Sequence, residues 1–140
     1  MILKHFTELK EFLSQPKNIV IIGHRNPDGD AVGSTLGLKH YLDKKGHTAQ
    51  VVMPNEYPDF LHWIPGSDTV YRFDRQNKQS VRSLNNSEIV FLLDFNALHR
   101  VGGDMQNTLE QYKNDFALIA HHQQPDAFEY MYSDTTMSST

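Results

Sequence analysis

Apolar and polar positions alternate between two patterns along the chain, namely uninterrupted apolar runs and segments with apolar residues at helical spacing. The runs are rich in β-branched and large apolar residues and are bounded by turn formers, which is typical of strands covered on both faces. They predict strands at residues 18–23, 49–53, 88–93 and 116–119. A weaker run predicts a fifth strand at 68–73, whereas residues 131–140 are small and polar and predict no element.

The clearest helical pattern covers residues 31–45, where Asp30 is suited to the N-cap position and Gly46 to the end of the helix. Its predicted apolar side includes Val32, Leu36, Leu38, Tyr41 and Leu42. Gly33 and Gly37 lie one turn apart and are expected to let this helix pack closely on the sheet.

Four other segments outside the apolar runs are predicted in less detail. The apolar spacing of Phe6, Leu9, Phe12 and Leu13 predicts a short helix that ends before Pro16. Residues 57–63 predict a short helix or turn, residues 74–87 a surface helix or loop, and residues 104–113 a helix. Because strands alternate with helices, the expected fold is an α/β, Rossmann-like three-layer domain with a mostly parallel sheet and right-handed crossovers.

Composition limits the chain to one soluble domain without cysteine chemistry. It has 140 residues, a hydrophobic fraction of 39% and a net charge of −4, so no overall positive field attracts a long nucleic acid. The lack of cysteine excludes disulfides, thiolate catalysis and cysteine zinc sites. The amphipathic N-terminus has no long apolar core, so we expect no signal peptide, no membrane span and a cytoplasmic location.

Polar residues able to bind a metal follow three of the predicted strands. The first strand is followed by the pattern H-x-x-x-D-x-D, the next by a segment that begins with an aspartate, and the last by paired histidines; the residues are His24, Asp28, Asp30, Asp94 and His121-His122. Ligands of parallel sheets bind beyond the carboxyl ends of the strands. The three groups are therefore expected to converge on one site.

Imidazole and carboxylate ligands together suit Mn²⁺, Fe²⁺, Co²⁺ or Zn²⁺ better than Ca²⁺, which prefers oxygen ligands alone. Two such cations can activate water and stabilise a leaving group at a phosphorus centre. Asp94, alone at the end of its strand, is the candidate bridging ligand. The N-terminus of the helix at 31–45 would repel a cation but is placed to receive an anionic phosphate.

Each group also has a plain structural interpretation. The H-x-x-x-D-x-D segment fits an Asx-rich turn around Pro27 and Gly29, the paired histidines fit a polar strand end, and Asp94 fits a turn or helix cap. Their joint occurrence at three strand ends of one sheet favours a functional site.

At these residues the chain resembles the DHH phosphoesterase superfamily. Residues 21–34 resemble its first motif, residues 94–100 with Gly102 its second, and residues 138–140 the start of the hydroxyl segment after its third. The resemblance implies a two-metal Mn²⁺ site, with Mg²⁺ or Co²⁺ as alternatives, whose ligands are His24, Asp28, Asp30, Asp94 and His121. It also implies that His122 and Arg100 contact the phosphate in catalysis and, with Asn96, bind the substrate.

Within that superfamily the chain is most similar to small bacterial members in which this domain precedes a DHHA1 domain. These members include nano-RNases, phosphatases of 3′-phosphoadenosine 5′-phosphate and cyclic-dinucleotide phosphodiesterases. Two departures predict impaired activity. Ala120 stands where the third motif has aspartate, and the fourth motif and the DHHA1 domain are expected beyond residue 140. Residues 1–140 are thus predicted to be a DHH catalytic domain truncated before its fourth motif.

Three functions remain open at this point. The first is hydrolysis of short oligoribonucleotides, cyclic-dinucleotide products or nucleotide 3′-phosphates. The second is a family II pyrophosphatase or exopolyphosphatase, which a missing Lys/Arg cluster makes less favoured. The third is a non-catalytic nucleotide-binding module, which Ala120 favours. The expected partner is a short oligonucleotide or nucleotide phosphate substrate, and neither a long nucleic acid nor a membrane is expected. The sequence does not predict an oligomeric state.

Overall fold

The computed structural model describes residues 10–24, 29–55, 63–93, 101–121 and 128–133, with only the backbone of Asp30, 118–121 and 128–133. These residues form a six-stranded sheet of order β3-β2-β1-β4-β5-β6. The strands are β1 (Asn18–Ile22), β2 (Thr48–Met53), β3 (Tyr71–Arg72), β4 (Ile89–Leu93), β5 (Asp115–His121) and β6 (Phe128–Ser133). The helices are α1 (Gly29–Lys44), α2 (Asn77–Asn86) and α3 (Gly103–Glu110).

The first five strands run parallel and β6 runs antiparallel to β5. Both faces of the central strands are buried, and side chains alternate between them. On β1, Ile19 and Ile21 join a core that includes Val32 and Leu36 of α1. The intervening residues of β1 join a second core with Leu84 of α2 and with Met105 and Leu109 of α3. The predicted α/β fold, with three layers and a mostly parallel sheet, is confirmed.

Helix α1 follows the prediction in its core residues and departs from it on its outer side. Val32, Leu36 and Leu42 are buried, and Leu38 is half-buried. Tyr41 was predicted on the apolar side but is 58% exposed. Gly33 and Gly37 are exposed, and a Cβ on either would meet no atom within 4 Å, so the prediction that they allow close packing was wrong.

Both ends of α1 have identifiable causes. The helix begins at Gly29, so Asp30 lies inside its first turn rather than at the predicted N-cap. The predicted end is confirmed, because Gly46 has a φ of 96°, a conformation that glycine adopts without steric cost. His47 then donates its backbone N–H to the carbonyl of Leu42 at 3.1 Å.

Three other predicted elements differ from the structure. The strand predicted at 68–73 is reduced to Tyr71–Arg72, because a 3-10 turn at Ser67–Thr69 begins at Gly66, whose φ is 90°. The helix predicted at 104–113 ends at Glu110. Residues 131–133 were predicted to lack an element but belong to β6. Aromatic residues at every second position of Phe128–Ser133 are the signal that was missed.

Helix α3 ends early because Tyr112 is drawn into the second core. Its ring lies edge-on to Phe116, with the ring centroids 5.2 Å apart. Its hydroxyl contacts Ser87 Oγ at 2.9 Å and donates to the Ser87 carbonyl at 3.2 Å. Burial raises the pKa of Tyr112 to about 12, with smaller contributions from the nearby carboxylates. The phenol therefore links the segment before β4 to the segment before β5.

Replacing Tyr112 with Phe should make folding less sensitive to alkaline pH. The pKa of Tyr112 is about 12 in the folded state and 10.0 in the unfolded state. The protonated phenol therefore stabilises the folded wild type fully below pH 10, and this contribution is lost as the pH rises towards 12. The expected loss is about 1–2 kcal/mol after allowance for solvent screening. Urea unfolding at neutral pH and near pH 11.5 would measure it. Equal alkaline losses in wild type and Y112F would contradict the prediction.

Candidate metal centre

Between β1 and β4, the direction in which successive strands are added to the sheet reverses. After β1 the chain passes through α1 to β2 on one side, and after β4 it passes through α3 to β5 on the other. The two helices also cover opposite faces. Connections that diverge in this way leave a crevice, and ligands of open α/β sheets bind in it.

The strand register brings two of the three predicted motifs to the same level of this edge. Ile22 pairs with Leu92 and Leu92 pairs with Leu118, so these residues form one row across the sheet. His24 lies two residues after Ile22, and Ala120 lies two residues after Leu118. Since β4 separates their strands, the two backbones are about 10 Å apart at this level. The register therefore places the backbones of both motifs at one level of the edge.

Among the eight predicted site residues, the structure describes the side chain of His24 alone, and this side chain is half-buried. The backbone of Asp30 lies in the first turn of α1, and that of His121 is the last residue of β5. The other five lie outside the described residues, and they are Asp28, Asp94, Asn96, Arg100 and His122. No group of three metal-competent side chains occurs within the described part of the chain. The ligand set stays a prediction.

Gly23 fixes how closely the end of β1 approaches α1 and β2. A Cβ on this residue would lie 2.8 Å from Sδ of Met53 and 3.7 Å from Cγ2 of Thr35. Both of those side chains are fully buried. Thr35 is also held by its hydroxyl, which donates to the carbonyl of Ala31 at 2.8 Å. The absence of a side chain at Gly23 thus sets the position from which His24 leaves the strand.

Beside the end of β1 lies a cleft of about 360 Å³ that no sequence motif indicated. One wall follows β2 and β3, and the other is the segment that enters α3. Its described lining consists of Pro54, Asn55, Phe73, Asp74, Asn77 and residues 101–105. Because β1 lies between β2 and β4 in the sheet, the two walls flank the strand end that carries His24. The pair Gly102-Gly103, at which α3 begins, is a local signal in the sequence, and Gly102 has a φ of 92°.

Comparison with known proteins decides the family. Residues 18–140 match the model of the DHH family, N-terminal domain. The chain belongs to the DHH family. The DHH domain is also 22% identical over 126 residues to the cyclic-di-AMP phosphodiesterase GdpP of Bacillus subtilis (strain 168). That alignment covers 86% of this chain and 18% of GdpP.

Two solved structures share the fold of this DHH domain. An exopolyphosphatase-related protein from Bacteroides fragilis is 35% identical with a TM-score of 0.78, over 86% of this chain and 35% of the other. An α-glucosyltransferase bound to UDP and DNA is 14% identical with a TM-score of 0.51, over 71% of this chain and 28% of the other. The second likeness concerns the fold alone. The DHH domain spans only 18% of GdpP and 35% of the Bacteroides protein.

One further finding concerns membranes. In the part of the chain that the structure describes, no helix has the length and apolar character needed to cross a bilayer.

Replacing Gly23 with Ala should destabilise the domain and disturb His24. The added methyl overlaps buried Met53, and overpacking of this kind typically costs about 1–3 kcal/mol. Gly33→Ala is the matched control, since its Cβ meets open space and Ala is favoured over Gly in helices by about 1 kcal/mol. Urea denaturation of both variants would measure the difference. Equal or greater stability of G23A would show that Met53 moves aside freely.

Proposed function

We propose that this chain is the catalytic domain of a metal-dependent phosphoesterase acting on short oligoribonucleotides, cyclic-dinucleotide products or nucleotide 3′-phosphates. The observation that carries the proposal is the placement of the first and third motifs at one level of the carboxyl edge, on either side of the switch between β1 and β4. Membership of the DHH family supports phosphoester chemistry. Similarity to a cyclic-di-AMP phosphodiesterase supports a nucleotide substrate.

The residues available at this edge fit a divalent transition metal. His24 offers a half-buried imidazole, and Asp30 and His121 stand at the start of α1 and the end of β5. With Asp28 and Asp94 they would form the mixed nitrogen and oxygen set that Mn²⁺ accepts. When bound, two such ions supply a nucleophilic hydroxide and neutralise charge on the phosphoryl oxygens.

The protein's own groups would position the phosphate and manage its charge. In the hydrolysis, an oxygen of water bonds to phosphorus, the bond to the leaving oxygen breaks, and one proton goes to that oxygen. His122 and Arg100 are the proposed donors to the phosphate, and Asn96 is proposed to assist binding. The amino end of α1 adds positive potential where the anion would lie.

Exopolyphosphatase activity is a second candidate, because a structural relative of 35% identity carries the description exopolyphosphatase-related. The carboxylate of Asp104 in the adjacent cleft opposes a highly charged chain of phosphates, whereas that of Asp74 is paired with Arg72. A nucleotide-binding module without turnover is the third candidate, and it rests on Ala120.

Manganese titration of single variants tests the proposed metal centre. His24→Ala and Asp28→Ala should each weaken Mn²⁺ binding by at least about tenfold, because each removes a ligand. His40→Ala and Asp68→Ala are matched controls, since both residues are exposed and neither belongs to the motifs. Calorimetry, or electron paramagnetic resonance of free Mn²⁺, would give the affinities. Wild-type affinity in both ligand variants would refute the metal centre.

Restoring the aspartate of the third motif tests catalysis. Ala120 lies on β5 opposite Glu129 of β6, at the level of His24. Ala120→Asp should raise Mn²⁺ affinity and turnover of a dinucleotide by about 10–100-fold, the usual effect of an outer carboxylate on ligand basicity. The control Ala120→Asn introduces a side chain of the same size as aspartate but without its charge. It should change neither the Mn²⁺ affinity nor the turnover. Tighter metal binding in A120D without turnover would instead establish the non-catalytic module.

A further inference from the structure

The cleft between the ends of β2 and β3 and the start of α3, here called the β2–α3 cleft, has a described lining that includes none of the proposed metal ligands. Its buried side is apolar, formed by Phe73, Val101 and Met105, which are 4%, 3% and 2% exposed. Its rim is polar, with Asn55, Asp74, Asn77 and Asp104. The surface that a ligand could contact is therefore mostly polar, which suits a hydrophilic ligand.

Hydrogen bonds within each wall hold the rim in place. Phe73 donates its backbone N–H to the carbonyl of Met53 at 2.8 Å, which ties the end of β3 to the end of β2. Arg72 donates to both carboxylate oxygens of Asp74, at 3.2 and 2.9 Å. On the other wall, the N–H of Gln106 bonds the carbonyl of Gly102 at 2.8 Å as α3 begins. Two backbone hydrogen bonds and one side-chain ion pair therefore hold the two walls.

The charge of the described lining selects against phosphate. It contains no lysine, arginine or histidine, and of its two aspartates Asp74 is paired with Arg72, so Asp104 carries the negative charge. Asp104 already occupies the first turn of α3, where a negative group complements the helix dipole, so an additional anion would be repelled there. Carboxylate and amide oxygens instead accept hydrogen bonds from hydroxyl and amino groups. A neutral ligand rich in such donors suits the rim.

Size and position identify which part of a nucleotide fits. A volume of about 360 Å³ lies at the small end of ligand pockets, which range over roughly 300–1,000 Å³, and suits one nucleoside rather than an oligomer. The walls flank the end of β1, where His24 stands. A nucleoside in the cleft would thus carry its phosphate towards the proposed metal centre.

We propose that the β2–α3 cleft binds the ribose and base of the substrate, and that Asp104 selects nucleotides against inorganic polyphosphate. The ribose hydroxyls would donate to the carboxylate of Asp104, and the base would lie between Asn55 and Asn77, above the buried side chains of Phe73 and Met105. This inference rests on the proposed phosphoesterase function for its kinetic consequence, but not for the binding of the nucleoside itself.

A steric block of the cleft provides the test. Gly103 lines the cleft, and a Cβ there would meet no atom within 4 Å, so Gly103→Leu fills space without disturbing packing. Gly37→Leu is the matched control, because Gly37 is a helical glycine with the same open surroundings on α1 and lies outside the motifs. With the full chain and Mn²⁺, G103L should raise KM for the dinucleotide pApA at least about tenfold. Methyl 4-nitrophenyl phosphate, which has no nucleoside, should be hydrolysed as by the wild type.

A binding measurement separates this inference from the proposed function. Adenosine added to the chain without metal should shift the methyl resonance of Met105, and the shift should disappear in G103L and persist in G37L. That result would support the cleft even if the chain hydrolysed nothing. An unshifted Met105 methyl, or a pApA KM in G103L equal to that of the wild type, would overturn the proposal.

Asp104→Lys tests the selection by charge. Reversing this charge should raise the ratio of polyphosphate to pApA hydrolysis several-fold, since attraction replaces repulsion at the rim. An unchanged ratio would remove Asp104 from the proposal.

Discussion

β1 and β4 pair in parallel at the centre of the sheet, although about 70 residues separate them along the chain. Glu88 closes the start of this pair, because its backbone N–H donates to the Asn18 carbonyl and its carboxylate accepts from the Asn18 N–H, each at 2.8 Å. Neighbouring strands flank both members, so their residues from Ile19 to Ile22 and from Ile89 to Leu93 are buried on both faces. Helices must then cover both faces, and the divergence of their connections produces the crevice at the carboxyl edge.

The sequence predicts the elements that this burial controls most strongly. Strands with both faces covered appear in the sequence as continuous apolar runs. The observed bounds of β1, β2, β4 and β5 lie within one or two residues of the predicted bounds. Elements at the margins were predicted less well, because fewer contacts determine them. β3 has two residues, and it is short because Gly66 begins a 3-10 turn before it. The end of α3 depends on the burial of Tyr112 against Ser87, a contact that periodicity does not reveal.

The candidate site was likewise predictable in one part and not in another. His24 and Ala120 could be assigned to one edge from the sequence, because parallel strands end on the same side of their sheet. The β2–α3 cleft could not be predicted, since its lining comes from the ends of two strands and the starts of two helices. Gly33 and Gly37 show the opposite error. Their spacing suggested close packing, yet the orientation of α1 is set by Val32, Thr35 and Leu36, which place both glycines towards solvent.

The antiparallel direction of β6 has a consequence for any residue that follows it. His121 pairs with Phe128 at one end of the two strands, and Phe116 pairs with Ser133 at the other. The chain has therefore returned to the amino-terminal side of the sheet when it reaches Ser133. The distance back to the edge that carries His24 is about 20 Å, which corresponds to roughly six extended residues or thirteen helical ones. A side chain supplied from beyond Ser133 would need a connection of that length, which sets a minimum separation in sequence for any later contribution to the centre.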